Sequence, residues 1–179
     1  MKLNDLIKRA LVSADEIGNE AEYQDQLIEA INKVQNKLVV FARNKIKYET
    51  ITAEENVIVL PDDCFELIEI KNDRLKNVNF VKMNNKQVQV AIDGDYTIKY
   101  KAFLPNVTAD SGEDFEIDIE PIAESCMVAG VASWIAIDNP EIYDVLNNEY
   151  NNLLANLSQM PETISENQTG IARVEGWYW

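Results

Sequence analysis

The chain has 179 residues, 46% of them hydrophobic, and 31 acidic against 16 basic side chains give it a formal charge of −15 with no histidine at all. That balance argues against a general nucleic-acid binder, which needs cations to replace the counterions held by phosphates. The missing histidine removes Ser-His-Asp and Cys-His catalysis and the commonest transition-metal ligand.

In chain order, MKLNDLIKRA lacks the long apolar core and cleavage site of a secretory signal, so the expected setting is a cytoplasm. Leu3, Leu6, Ile7, Ala10 and Leu11 recur at helical spacing and predict a short helix over Leu3–Leu11. An acidic connector containing Gly18 follows. Leu27, Ile28, Ile31, Val34, Leu38 and Phe41 then predict a strong helix from about Tyr23 to Ile46. Its second half is basic. Lys33, Lys37, Arg43, Lys45 and Lys47 share a window free of acids, and Lys33 and Lys37, four apart, lie on one helix face.

From Lys47 the period changes to two, with many β-branched residues. Strands are predicted at 48–53, 56–60, 65–72, 78–83, 88–92 and 96–104. Asp93-Gly94 reads as a hairpin turn between the last two, since Gly supplies the positive φ such turns need, and Asn84-Asn85 is a weaker candidate. Pro61-Asp62-Asp63 breaks the chain between strands.

The densest run of carboxylates is DSGEDFEIDIEPIAE, residues 110–124. Asp114, Glu116, Asp118 and Glu120 alternate with Phe115, Ile117 and Ile119, which in an extended chain puts acids on one face and apolar groups on the other. Oxygen-rich clusters suit hard cations. The EF-hand spacing is absent, however, and the segment reads as a solvated acidic face without a metal. No phosphate-binding glycine loop or nucleophile motif occurs, so no enzyme and no cofactor are expected.

Pro121 can open a helix over 121–137, and Asn139-Pro140 cap and open another to about Leu157. The stretch CMVAGVASWIAI, 126–137, is the most apolar and reads as buried helix, too short for the ~20 residues of a membrane span. Cys64 and Cys126 form no metal or redox motif and read as buried free thiols. Met160-Pro161 ends the last helix. A polar spacer then leads to GIARVEGWYW, whose Ile171, Val174, Trp177, Tyr178 and Trp179 call for burial in the chain's own domain or in a partner.

The expected fold is α+β. It is a helical bundle, made of a long N-terminal helix plus two C-terminal helices, with an inserted antiparallel β region and an extended C-terminal arm. One domain would span 1–160, with the β region at about 48–104, and the arm would span 161–179. Separate basic and acidic blocks also suit head-to-tail association of copies, Lys33, Lys37 and Arg43 of one meeting the acidic segment of the next.

Four ordered stretches carry a resemblance: LIEAINKVQNKLV, NVIVLPDDCFELIEI, DGDYTIKYKAFLPNVT, and EIDIEPIAESCMVAGVASWIAIDNPEIYDVLNNEYNNLLANL. Together, over roughly Leu27 to Leu157, they resemble the head-to-tail connector, or adaptor, proteins of tailed bacteriophages. In that family an LP-D turn precedes a strand, and a YTI-Y strand with a following proline precedes an acidic loop. Leu60-Pro61-Asp62, Tyr96–Tyr100 and Pro105 hold those places here. The resemblance implies a virion protein at the head-tail junction, made in the host bacterial cytoplasm. It implies a homo-oligomeric ring, usually of twelve copies, beneath the portal protein. Such a ring extends the DNA channel and offers a platform to downstream tail proteins, while its C-terminal arms reach the portal. On that reading Asp114, Glu116 and Asp118 line the lumen or the subunit seam, DNA passes without specific binding, and no membrane is involved. The other reading is a monomeric or dimeric phage-encoded accessory or binding domain with the arm packed on itself.

Overall fold

A computed structural model describes residues 1–19, 22–112 and 114–160 of the chain. Among them are four α-helices and six strands: α1 (Leu3–Ser13), α2 (Gln24–Phe41), β1 (Lys45–Ala53), β2 (Val57–Val59), β3 (Cys64–Asn72), β4 (Val81–Lys82), β5 (Gln87–Gln89), β6 (Gly94–Ala102), α3 (Glu124–Ile135) and α4 (Pro140–Gln159). Short 3₁₀ turns flank α3 at Pro121–Ala123 and Ala136–Asp138.

The secondary structure is mixed α+β, but the expected bundle around one long N-terminal helix is not what forms. Two helices precede the sheets, of 11 and 18 residues, and α4 is the longest at 20. Helix α3 is the hub. It packs on α1, α2 and α4, while α2 and α4 touch each other only lightly. The reason lies in composition. Cys126, Met127, Val128, Ala129, Val131 and Ala132 are buried around the whole circumference of α3, whereas the other helices bury one stripe each. Pro121–Asp138 is apolar enough on average to suit a bilayer, yet 61% of that window is buried inside the fold.

Helix α2 stops at Phe41, short of the expected Ile46, and β1 takes over at Lys45. Leu27, Ile31, Val34 and Leu38 are buried at spacings of four and three, and the stripe has no successor beyond Ala42. The backbone N–H groups of Ala42 and Arg43 both turn back to the Leu38 carbonyl, at 2.9 Å, and close the helix. Asn139 caps α4 as expected, its side chain accepting from the Ile142 N–H, with Pro140 in the first turn.

The β region is two three-stranded antiparallel sheets, ordered β1-β6-β3 and β2-β5-β4. Strand β6 is central because Tyr96, Ile98, Tyr100 and Ala102 alternate into the core, and it pairs with β1 over nine consecutive positions. Glu55 and Asn56 both have positive φ, 54° and 63°, and tie β1 to β2 in a tight turn closed by Glu54 and Val57. Asp93-Gly94 is not the hairpin the sequence suggested: β5 pairs with β2 and β4, so the turn carries the chain from one sheet to the other. The Asn84-Asn85 expectation holds, since those residues sit in the β4–β5 turn.

Two separate cores result. One gathers the helices with Val107 and Ile117; the other gathers the sheets around Ile58, Ile70, Val88, Ile98 and Tyr100. The expected arm, 161–179, lies outside the described residues.

Candidate functional site

The acidic segment earns its position from both neighbours. Leu3 N–H donates to the Phe115 carbonyl at 2.8 Å, Ile117 N–H donates to Met1 O at 2.9 Å, and Lys2 and Glu116 form an antiparallel bridge. This short pairing drives Ile117 into the helical core, with Phe115 and Ile119 partly buried beside it. Asp114, Glu116 and Asp118 stand outward as an exposed ridge, as the alternation required.

Much of the ridge's charge is answered inside the same chain. Lys2 Nζ lies 2.7 Å from Asp114, Lys45 Nζ lies 2.5 Å from Asp118, and Arg43 Nε lies 3.4 Å from Glu120. The Lys2–Asp114 and Lys45–Asp118 pairs are exposed and contribute about 0–1 kcal/mol each, so they orient side chains more than they stabilise the fold. Glu116 has no cation partner among the described residues.

The three basic residues singled out together do not share a surface. Lys33 pairs with Glu29 at 2.5 Å and sits 4.3 Å above the Trp134 ring; Lys37 sits 5.0 Å from the Tyr150 ring. Both cover the seam where α2 meets α3 and α4 while keeping their ammonium groups in water. Arg43 is only 7% exposed. Its Nη1 donates to the Met160 carbonyl at 3.2 Å, so it fastens the end of α4 to the segment between α2 and β1. Ile171, Val174, Trp177, Tyr178 and Trp179 lie outside the described residues.

Among the described residues, two of the open grooves lie in the helical half. One, about 380 Å³, runs between α1, α3 and α4, with Val128 and Leu146 as floor and Lys8, Arg9 and Glu149 at the rim. The Ser13 hydroxyl in it donates to its own helix at Arg9 O, 2.9 Å away, rather than to a base. The other, about 390 Å³, lies between α1, α2 and residues 107–111, and Leu3, Ile7, Leu27, Ile28 and Ile31 make it apolar. Among the described residues no three Cys, Asp or Glu side chains converge as a metal site.

Sequence reasoning missed one polar cluster. The Tyr100 hydroxyl, buried in the sheet core, lies 3.1 Å from Glu49 Oε2 and 3.3 Å from Asp63 Oδ1, and Lys47 Nζ holds Asp63 at 2.6 Å. Burial first, then the two carboxylates, push the Tyr100 hydroxyl well above the usual tyrosine range. The four residues come from β1, β6 and the turn before β3, which only pairing brings together, so no local pattern announces them. Burial likewise pushes Cys126 up to about 11, its Sγ–H facing the Tyr150 carbonyl at 3.9 Å. Cys64 and Cys126 are both buried free thiols, as expected.

The chain matches no protein-family model and no curated protein.

Proposed function

We propose that the chain is a structural subunit of the head-to-tail junction of a tailed bacteriophage, a connector or adaptor that forms a ring below the portal. The carrying observation is the order of the resembling stretches, which fall on successive elements. LIEAINKVQNKLV is α2, Leu60-Pro61-Asp62 joins β2 to β3, Tyr96–Tyr100 is the central strand β6, and the last stretch supplies α3 and α4. In this reading the ring holds twelve copies by resemblance, continues the DNA channel, and meets downstream tail proteins. The protein is neither an enzyme nor a membrane protein, and needs no cofactor.

The exposed ridge of Asp114, Glu116 and Asp118 is assigned to the lumen or to the subunit seam. Carboxylates facing phosphates prevent sticking, and at physiological salt the repulsion reaches only about 8 Å, so DNA slides without being held. Lys33 and Lys37 are assigned to contact with a neighbouring copy; Arg43, buried against Glu120 and Met160, is not part of that face. Ile171, Val174, Trp177, Tyr178 and Trp179 are assigned to the portal or to a neighbour, since clustered aromatics dominate interface energetics. A second reading, a monomeric or dimeric accessory domain with the arm packed on itself, draws support from the apolar groove between α1 and α2.

Truncation after Thr169 separates the two. The adaptor reading expects the melting temperature to survive while co-purification with a portal ring, seen by electron microscopy, is lost. Unfolding of the truncated subunit, or a full chain that never joins a portal ring, would defeat it.

A further inference from the structure

The turn that follows β3 presents an apolar side chain between two unpaired cations. Leu75 is 72% exposed, more than any other large apolar residue described, and its φ of 57° lies in the left-handed region. That conformation is strained for a bulky residue, and such strain gathers at binding segments. Asn72 holds it in place. The Asn72 Oδ1 accepts from the N–H groups of Arg74 and Lys76 at 3.1 and 3.0 Å, and its carbonyl accepts from the Leu75 N–H at 2.9 Å. Arg74 and Lys76 are exposed and have no ion-pair partner among the described residues. Against the one carboxylate of Asp73, they leave the tip net positive.

The apolar groove between α1 and α2 has the complementary character. Its lining of about 390 Å³ includes Leu3, Ile7, Leu27, Ile28 and Ile31 and no charged residue. Carboxylates stand at its edges: exposed Asp110 lies between the lining Ala109 and Ser111, and exposed Asp25 lies one turn before Ile28 on α2. Neither has a cation partner among the described residues. Tip and groove belong to separate cores. Strand β3 starts at Cys64 beside Ala102, which also faces Lys45 just past the end of α2, and runs on to Asn72; the groove is at the other end of α2. Among the described residues no hydrogen bond or ion pair joins 72–77 to a helix.

We propose that this groove receives the β3–β4 tip of a second copy. Leu75 enters between α1 and α2, while Arg74 and Lys76 reach the edges held by Asp25 and Asp110. Charge complementarity selects the occupant. Between chains of charge −15 most approaches bring carboxylate to carboxylate, and this one brings two unpaired cations to two unpaired carboxylates. Asn72 has already ordered the tip, so docking costs little further loop entropy. The contact is heterologous: each copy gives a tip and a groove, so it repeats and closes into a ring when the rotation permits. It offers a seam to the adaptor ring, yet it does not rest on that reading, because self-association needs no portal. One tip in one groove is small beside a standard interface, so the association is weak and concentration-dependent.

The test is sedimentation and native mass of the full chain across a concentration series. Leu75→Asn removes the apolar side chain and keeps the turn, since Asn accepts a left-handed backbone. A tip-reversed chain, Arg74→Glu with Lys76→Glu, and a groove-reversed chain, Asp25→Lys with Asp110→Lys, complete the set, and circular dichroism checks that each folds. We expect the parent to self-associate and Leu75→Asn to weaken that at least tenfold with no loss of melting temperature. Each reversed chain should associate weakly alone, and an equimolar mixture of the two should recover. A parent that stays monomeric at high concentration overturns the proposal, as does a folded Leu75→Asn of parental strength or a mixture no stronger than its parts. A parent that associates only when truncated after Thr169 makes the chain's own arm the occupant and overturns it too. A chain that self-associates in the expected pattern but never joins a portal ring defeats the adaptor reading alone.

Discussion

Gly130 and Tyr150 meet so closely that a Cβ added to the glycine would stand 2.9 Å from two carbons of the tyrosine ring. The same Cβ would stand 2.8 Å from Cγ1 of Val34, so α2, α3 and α4 converge on a site that only a hydrogen atom fits. In an open helix position Gly→Ala would gain about 1 kcal/mol from propensity. Here the overlap is with a packed ring and a β-branched side chain, and overpacking costs about 1–3 kcal/mol.

Gly130→Ala is therefore expected to lower the urea midpoint, and Gly130→Val to lower it further. A more stable alanine variant would mean that the three helices have slack at their crossing.

Arg43 gives a second prediction. Its guanidinium is buried, reaches Glu120, and donates to the Met160 carbonyl at the end of α4. A hydrogen bond from a charged group is worth about 1.5–3 kcal/mol, so Arg43→Met is expected to cost that much while keeping the packing of the stem. The loss should be local. Hydrogen exchange at the last turn of α4 should speed up more than exchange in α3, and a uniform change across both helices would contradict the clamp.

Tyr100 makes stability depend on alkaline pH. The fold keeps its hydroxyl neutral by burial and by the neighbouring Asp63 and Glu49 carboxylates, so its pKa is raised, whereas an unfolded tyrosine ionises near about 10. A raised pKa gives stability that is fully present below the unfolded value and is lost as pH rises, because the unfolded state releases a proton the fold retains. Tyr150, raised chiefly by burial, acts in the same direction. Tyr100→Phe should remove the Tyr100 share and leave those of Tyr150 and of the raised Cys126 and Cys64 thiols. The fall of melting temperature above about pH 10 should become shallower, while stability at pH 7 drops by about 1.5–3 kcal/mol from the lost hydrogen bond to a carboxylate. Identical alkaline slopes for variant and parent would show that Tyr100 ionises freely in the fold.

Local chemistry in the sequence was enough to locate the four described α-helices, though not the end of α2, and the alternation of the acidic segment. Leu27 through Leu38 repeat at the helical period, Asn139-Pro140 forms a cap with a first-turn proline, and Phe115, Ile117 and Ile119 alternate with carboxylates. These signals are made by residues a few positions apart, and neighbours in sequence are enough to express them. What joins to what was decided only in three dimensions. Asp93-Gly94 has the composition of a hairpin turn, yet β6 pairs with β1 and β3, because burying Tyr96, Ile98 and Tyr100 between two long strands removes more apolar surface from water than pairing with three-residue β5. The bundle expectation failed for the same reason: a helix apolar on all sides, α3, takes the centre and sets the other three around it. Arg43 belongs by sequence with Lys33 and Lys37, but the end of α2 turns it inward to Glu120 and Met160, partners 77 and 117 positions away that no local pattern could supply.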